Sequence, residues 1–169
     1  MSVVKAVVVY ESLWGNTAQI ARAIAEGIGP DTRTVSTSEA TAACADGIDL
    51  LVTGAPLLGF DLPTDAMRAS IASNPGAGPT PPDVDHPSIR SWLEALGTTD
   101  AACATFETRI WWSPGSAAKK MLAMLQAKGL HRIAEPAKFI VTGRYGPLKA
   151  GETDRARAWG AELARGVDA

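Results

Sequence analysis

Cysteine is scarce in this 169-residue chain: only Cys44 and Cys103 occur, and neither sits in a CxxC pair. The two histidines, His86 and His131, lie near neither of them. That spacing excludes a structural zinc site and a disulfide framework, and a reducing cytoplasm is the expected setting. Cys103 falls inside the apolar run "AACATF" and reads as a small buried hydrophobe. An excess of charge is missing too, since 16 Lys and Arg face 18 Asp and Glu for a formal net charge of −2. This balance excludes a broad nucleic-acid interface, which needs a strongly basic face. It equally excludes a strongly acidic surface built to steer a basic partner. No long apolar run is present: "VVKAVVVY" is too short to span a bilayer and is interrupted by Lys5. The opening residues lack a charged leader and a cleavage site, so an untargeted protein without a membrane role is expected.

What is present suits a globular protein of one domain, residues 1–169, with 46% hydrophobic and 20% charged residues. The recurring unit is a short apolar run, a loop, then an amphipathic stretch. Strands are predicted at Val3–Tyr10, Arg33–Thr37, Ile48–Gly54, Ala101–Phe106 and Lys138–Thr142. Four of them are nearly continuous apolar runs, which suits strands buried on both faces of a parallel sheet. Helical spacing joins Thr17, Ile20, Ala21, Ile24 and Ile28, and "GIGP" stops that helix. A second clear helix carries Ile89, Trp92, Leu93 and Leu96, with Pro87 in its first turn. A third is predicted from about Pro114 to Lys128, with Ser113 as N-cap and Pro114 at the first helical position. The last starts near Glu152 and presents Ala156, Trp159 and Leu163. Only "SEATAACADG" marks a further helix between the second and third strands. The alternation predicts an α/β fold, a doubly wound parallel sheet with helices on both faces. The Pro- and Gly-rich segment 72–87 reads as a surface excursion, or as a lid or partner contact.

The first strand runs into "ESLWGNT", Glu11 to Thr17, and then into a helix. A helix N-terminus offers unpaired backbone N–H groups and a positive dipole end, a natural place for phosphate. Gly15 permits close backbone approach, while Ser12, Asn16 and Thr17 supply neutral donors. The loop has no Lys or Arg, and it lacks both the nucleotide-hydrolysing P-loop and the GxGxxG pattern. A plain helix cap at Asn16 or Thr17 is the competing reading. "SLWG" is no nucleophile elbow, so hydrolysis is disfavoured. His86 and His131 are both expected on the surface.

The stretch "VVYESLWGNTAQIARAI" resembles the flavodoxin signature: aliphatics and an aromatic, a hydroxyl residue two places on, then GNT, with Ala21 and Ile24 following. The resemblance extends over nearly the whole chain and implies five strands in the order 2-1-3-4-5. It implies that flavin mononucleotide (FMN) is held at its phosphate by Ser12, Asn16 and Thr17 with backbone N–H groups of Leu13, Trp14 and Gly15. Trp14 departs from the family, which often has threonine there. It either covers the phosphate or ribityl chain or packs on a neighbouring loop.

By the same resemblance, two further loops wall the flavin ring. The first, "TGAPLLGFDLPT", offers Pro56, Leu57, Leu58 and Phe60, with Gly59 as the peptide that turns toward the ring and Gly54 as its rival. The second, "FETRIWWSPGSAAKK", offers Phe106, Glu107, Thr108, Arg109, Trp111, Trp112 and Gly115. Arg109 either places positive charge at the ring or is a solvated surface residue. The segment "TGRYGPLKAGE" either closes the ring end through Arg144 and Tyr145 or merely connects. The implied function is single-electron transfer between redox partner proteins, with Glu11, Asp61 and Glu107 supplying local negative charge. The alternatives are an NAD(P)H-dependent quinone or flavin reductase and a flavin-free binding module.

Overall fold

The computed structural model describes residues 3–168. Six strands form one sheet: β1 (Ala6–Tyr10), β2 (Thr32–Ser36), β3 (Leu50–Pro56), β4 (Ala102–Ile110), β5 (His131–Arg132) and β6 (Ala137–Val141). Every pairing is parallel, and the order is β2-β1-β3-β4-β5, with β6 also on β4. The expected fifth strand, Lys138–Thr142, is β6, and the two-residue β5 is an additional strand before it. β5 pairs with Ala102 and Cys103 at the start of β4, whereas β6 pairs with Phe106–Ile110 at its end. Pro136, which has no N–H to give a ladder, lies in the gap between them.

Alternation along the strands separates two cores. Ala6, Val8, Leu50, Val52, Ala104 and Phe106 face α1 (Asn16–Ile28) and α5 (Glu152–Asp168). Val7, Val9, Leu51, Ala55 and Cys103 face α3 (Ile89–Ala95) and α4 (Ala117–Ala127). The α1 and α5 backbones touch. A Cβ added at Gly27 would lie 1.9 Å from the Arg157 carbonyl oxygen, and one at Gly160 would lie 2.2 Å from that of Ile24.

Several local expectations need correction. The weakly marked helix is only a 3-10 turn, Ala42–Ala45, held where the Trp92 indole donates to the Thr41 carbonyl. α4 starts three residues later than expected, with Ser116 rather than Ser113 as the N-cap that accepts from the Lys119 N–H. Ser88 caps α3, so Pro87 lies outside that helix. α2 (Asp65–Ser73) precedes the Pro- and Gly-rich segment, with Thr64 as its N-cap. No helix among the described residues is long and apolar enough to cross a membrane.

Candidate functional site

The carboxyl ends of β1, β3, β4 and β6 meet at one edge of the sheet around a cleft of about 390 Å³. An open α/β sheet offers its ligand crevice at this edge. The volume falls in the range of small-molecule sites, roughly 300–1,000 Å³.

Its first wall is the β1–α1 loop, through Ser12, Leu13, Trp14, Asn16 and Thr17. Gly15 adopts φ +95° at the N-cap and borders a neighbouring hollow instead of the cleft. No side chain caps the helix from that position. Ser12 does the capping, its Oγ accepting from the Gly15 N–H at 3.1 Å and the Ala18 N–H at 3.3 Å. Because these bonds use lone pairs, the Ser12 hydroxyl hydrogen remains available to a ligand. Among the described residues no protein acceptor meets the backbone N–H of Trp14, Asn16 or Thr17. The Trp14 indole Nε1 is buried and is likewise without an acceptor among the described residues. Trp14 lies edge-on to Tyr145 with ring centroids 5.1 Å apart, so it packs on the neighbouring loop while lining the cleft. Asn16 Nδ2 donates to the Tyr145 carbonyl at 3.2 Å, and the Thr17 and Thr108 hydroxyls are 2.8 Å apart.

The second wall is Pro56, Leu57, Leu58, Gly59 and Phe60. Leu58 and Asp61 exchange backbone hydrogen bonds at 2.9 and 3.1 Å around a two-residue turn. Gly59 has φ +54° and Phe60 φ +68°. A bulky residue at positive φ is strained, and Phe60 is also 59% exposed, so core packing does not account for it. Gly54 is no candidate for a turning peptide, since it lies inside β3 with the Phe106 ring 2.0 Å from where its Cβ would be.

The third wall differs from expectation because β4 runs on to Ile110. Phe106, Glu107, Thr108 and Arg109 therefore belong to a strand, not a loop, and their side chains alternate. Phe106 is fully buried toward α1 and α5, against Phe139 and Trp159, and does not reach the cleft. Glu107, also fully buried, accepts from Arg109 Nη1 at 3.0 Å, Ser116 Oγ at 2.6 Å and the Ala118 N–H at 3.1 Å. Arg109 borders the cleft with Thr108, but Glu107 neutralises its charge, so it is not the solvated residue the sequence offered. Trp111 and Trp112 are 75% and 62% exposed and stand outside the lining. Gly115 presses on the backbone of Phe60, closing the second and third loops on each other. Ile110, Ser113 and Val141 also line the cleft; none was expected there, and Ser113 was expected to cap a helix instead. Arg144 reaches the cleft as well.

Beneath the first loop, Glu11 is wholly buried against Arg68 Nη1 at 2.8 Å and the Ile89 N–H at 2.9 Å. Burial still pushes its carboxyl above the ordinary value, against the pull of Ile89 and Arg68. Arg68 also donates to the carbonyls of Val84 and His86. The His86 ring is buried rather than exposed, between the Thr37 hydroxyl at 2.8 Å and Asp83 at 3.2 Å. Segment 72–87 thus forms a belt. The Asp83 N–H donates to the Leu13 carbonyl at 2.8 Å, while Gly76 and Gly78 lie against Tyr145.

No family model matches this sequence, and no curated protein does. Solved structures do match. A flavodoxin from the domain Archaea has a TM-score of 0.68 at 17% identity, over 97% of this chain and 99% of that one. Flavodoxin 1 from Bacillus cereus has a TM-score of 0.68 at 20% identity, over 95% of this chain and 97% of that one. This chain has the flavodoxin-like fold. A flavodiiron core from Synechocystis contains the same arrangement, with a TM-score of 0.66 at 17% identity, over 98% of this chain but 36% of that one. In this flavodoxin-like chain the cleft supplies donors and no lining carboxylate, so its chemistry fits an anionic group beside an apolar surface. Among the described residues no group of His, Cys, Asp and Glu is arranged to hold a metal ion.

Proposed function

We propose that this protein binds FMN at the β1–α1 loop and passes electrons singly between redox partner proteins. The observation that carries this reading is the set of unpaired donors at the start of α1, opening onto a cleft walled by Pro56, Leu57 and Leu58. FMN, when bound, supplies the electron-transfer chemistry; the chain supplies position and electrostatics. In this reading the N–H groups of Trp14, Asn16 and Thr17, with the Ser12 hydroxyl, hold the phosphate. Leu57 and Leu58 lie along one side of the ring, and the strained Gly59–Phe60 turn stands at its edge. Thr108 and Arg109 border the pyrimidine end, and Trp111 and Trp112 shape the mouth where partners approach.

A reductase acting on small acceptors is the second reading, favoured by the fate of the acidic residues. Glu11 and Glu107 are buried in ion pairs, and Asp61 lies 3.9 Å from Arg90. Two of the three acidic residues expected to supply local negative charge are therefore spent on buried partners instead of steering a basic protein.

Titration of FMN with the purified protein, followed by fluorescence quenching, tests the cradle. Asn16→Asp brings a carboxylate beside the phosphate position but also gives up the amide's bond to the Tyr145 carbonyl, so Asn16→Ala, which loses that bond without adding charge, is the control. Binding by the Asp variant is expected to weaken by about tenfold or more. Unchanged affinity would refute the phosphate position. Stepwise one-electron reduction of the complex supports the carrier, whereas rapid NAD(P)H oxidation coupled to a quinone supports the reductase.

A further inference from the structure

The neutral donors of the first loop hydrogen-bond to any acceptor oxygen, phosphate or hydroxyl alike. The positive dipole end of α1 already favours the phosphate, and a full cation beside it adds to that preference at longer range. The cleft has two arginines in its lining and no carboxylate. Arg109 is cancelled by Glu107. Arg144 is not, for among the described residues no carboxylate meets its guanidinium. The guanidinium lies instead 5.5 Å from the centroid of the Tyr145 ring. Tyr145 is a fixed platform: Trp14 abuts it, Asn16 bonds its carbonyl, and Gly76 and Gly78 press on it from the belt. Arg144 is thereby held beside the first loop, where the N–H groups of Trp14, Asn16 and Thr17 lack acceptors among the described residues.

We propose that Arg144 is the specificity-determining charge of this cleft, selecting a phosphorylated flavin over the same flavin without its phosphate. The assignment rests on the FMN reading and goes beyond it, because the family resemblance implies phosphate binding without a cationic side chain. The cation also makes recognition salt-sensitive, since its contribution is screened as ionic strength rises.

The test is a comparison of FMN and riboflavin binding, by fluorescence quenching at low and high salt, for the wild type, Arg144→Gln and Arg144→Lys. In the Gln variant the preference for FMN is expected to fall about five- to tenfold, with riboflavin affinity unchanged and the salt dependence flattened. The Lys variant, which keeps the charge, is expected to retain the preference. A Gln variant with an undiminished preference overturns the assignment and leaves the FMN reading standing. Equal loss for both flavins overturns it too, because Arg144 then merely supports Tyr145. A wild type that quenches neither flavin refutes the FMN reading and the assignment together.

Discussion

Two glycine-to-alanine substitutions on neighbouring helices are expected to change stability in opposite directions. In a helix interior Ala is favoured over Gly by about 1 kcal/mol, so both would stabilise if propensity alone decided. At Gly166 in α5 the new methyl would meet only Ile133 side-chain atoms at 3.6 and 3.9 Å, which is ordinary contact. Gly166→Ala is expected to gain about 0.5–1 kcal/mol. At Gly27 in α1 the methyl would sit 1.9 Å from the Arg157 carbonyl oxygen and 2.8 Å from its carbon. A side chain can swing aside, but a helical carbonyl cannot. Relief needs α5 to back away by about 1.5 Å before that oxygen reaches ordinary contact at 3.4 Å. The movement opens the layer holding Ala156, Phe139 and Leu163. Overpacking costs about 1–3 kcal/mol, and an unyielding backbone puts this site at the upper end. Set against the propensity gain, Gly27→Ala should lose about 2 kcal/mol, or roughly 4–8 °C in melting temperature for a chain of this size. Urea denaturation with an unchanged m-value is the assay. A Gly27→Ala variant as stable as Gly166→Ala would refute the backbone contact between α1 and α5.

Two further outcomes follow from buried ionisable groups. Glu152 accepts from Arg155 and from the Ile140 N–H at 2.6 Å, and chiefly the Arg155 bond lowers its pKa from 4.5. Its contribution is full above about pH 4.5 and is lost as pH falls below it, so Glu152→Gln should flatten the acid arm of a stability-against-pH curve. That variant should lose about 1–2 kcal/mol at pH 7, and an unchanged acid arm would remove Glu152 from the account. Cys103 is fully buried, and burial pushes its thiol up to about 11. Iodoacetamide at pH 8 should therefore label Cys103 only after the protein is unfolded in urea, as read by mass spectrometry; rapid labelling of the folded protein would contradict that burial.

The sheet and the first loop were legible because their signals are local. The runs "AVVVY" and "LLVTG" announce buried parallel strands, although β3 runs on through Pro56 where a loop was expected, and "SLWGNT" carries a strand end, a glycine and the start of a helix in six residues. The third wall was misread because Glu107 and Arg109 resemble the polar start of a loop. They fit a strand only because each neutralises the other and Ser116 and Ala118 complete the shell. The shift of the α4 cap from Ser113 to Ser116 has the same origin, as Ser116 also bonds Glu107. His86 looked like a surface residue because Thr37, which meets its ring, and Arg68, which donates to its carbonyl, come from distant segments. The pairing of Glu11 with Arg68 and the touching of Gly27 with Arg157 span still larger separations. Local periodicity holds no record of such contacts.

Because Tyr145 braces Trp14 and Asn16, and α5 clasps α1 through Gly27 and Gly160, the β1–α1 loop leaves the ribosome well before the elements that finish it. A nascent chain that has emerged only as far as β4 already contains "SLWGNT", but not the residues that hold it in shape. Chains that stop before α5 would carry the motif without its grip.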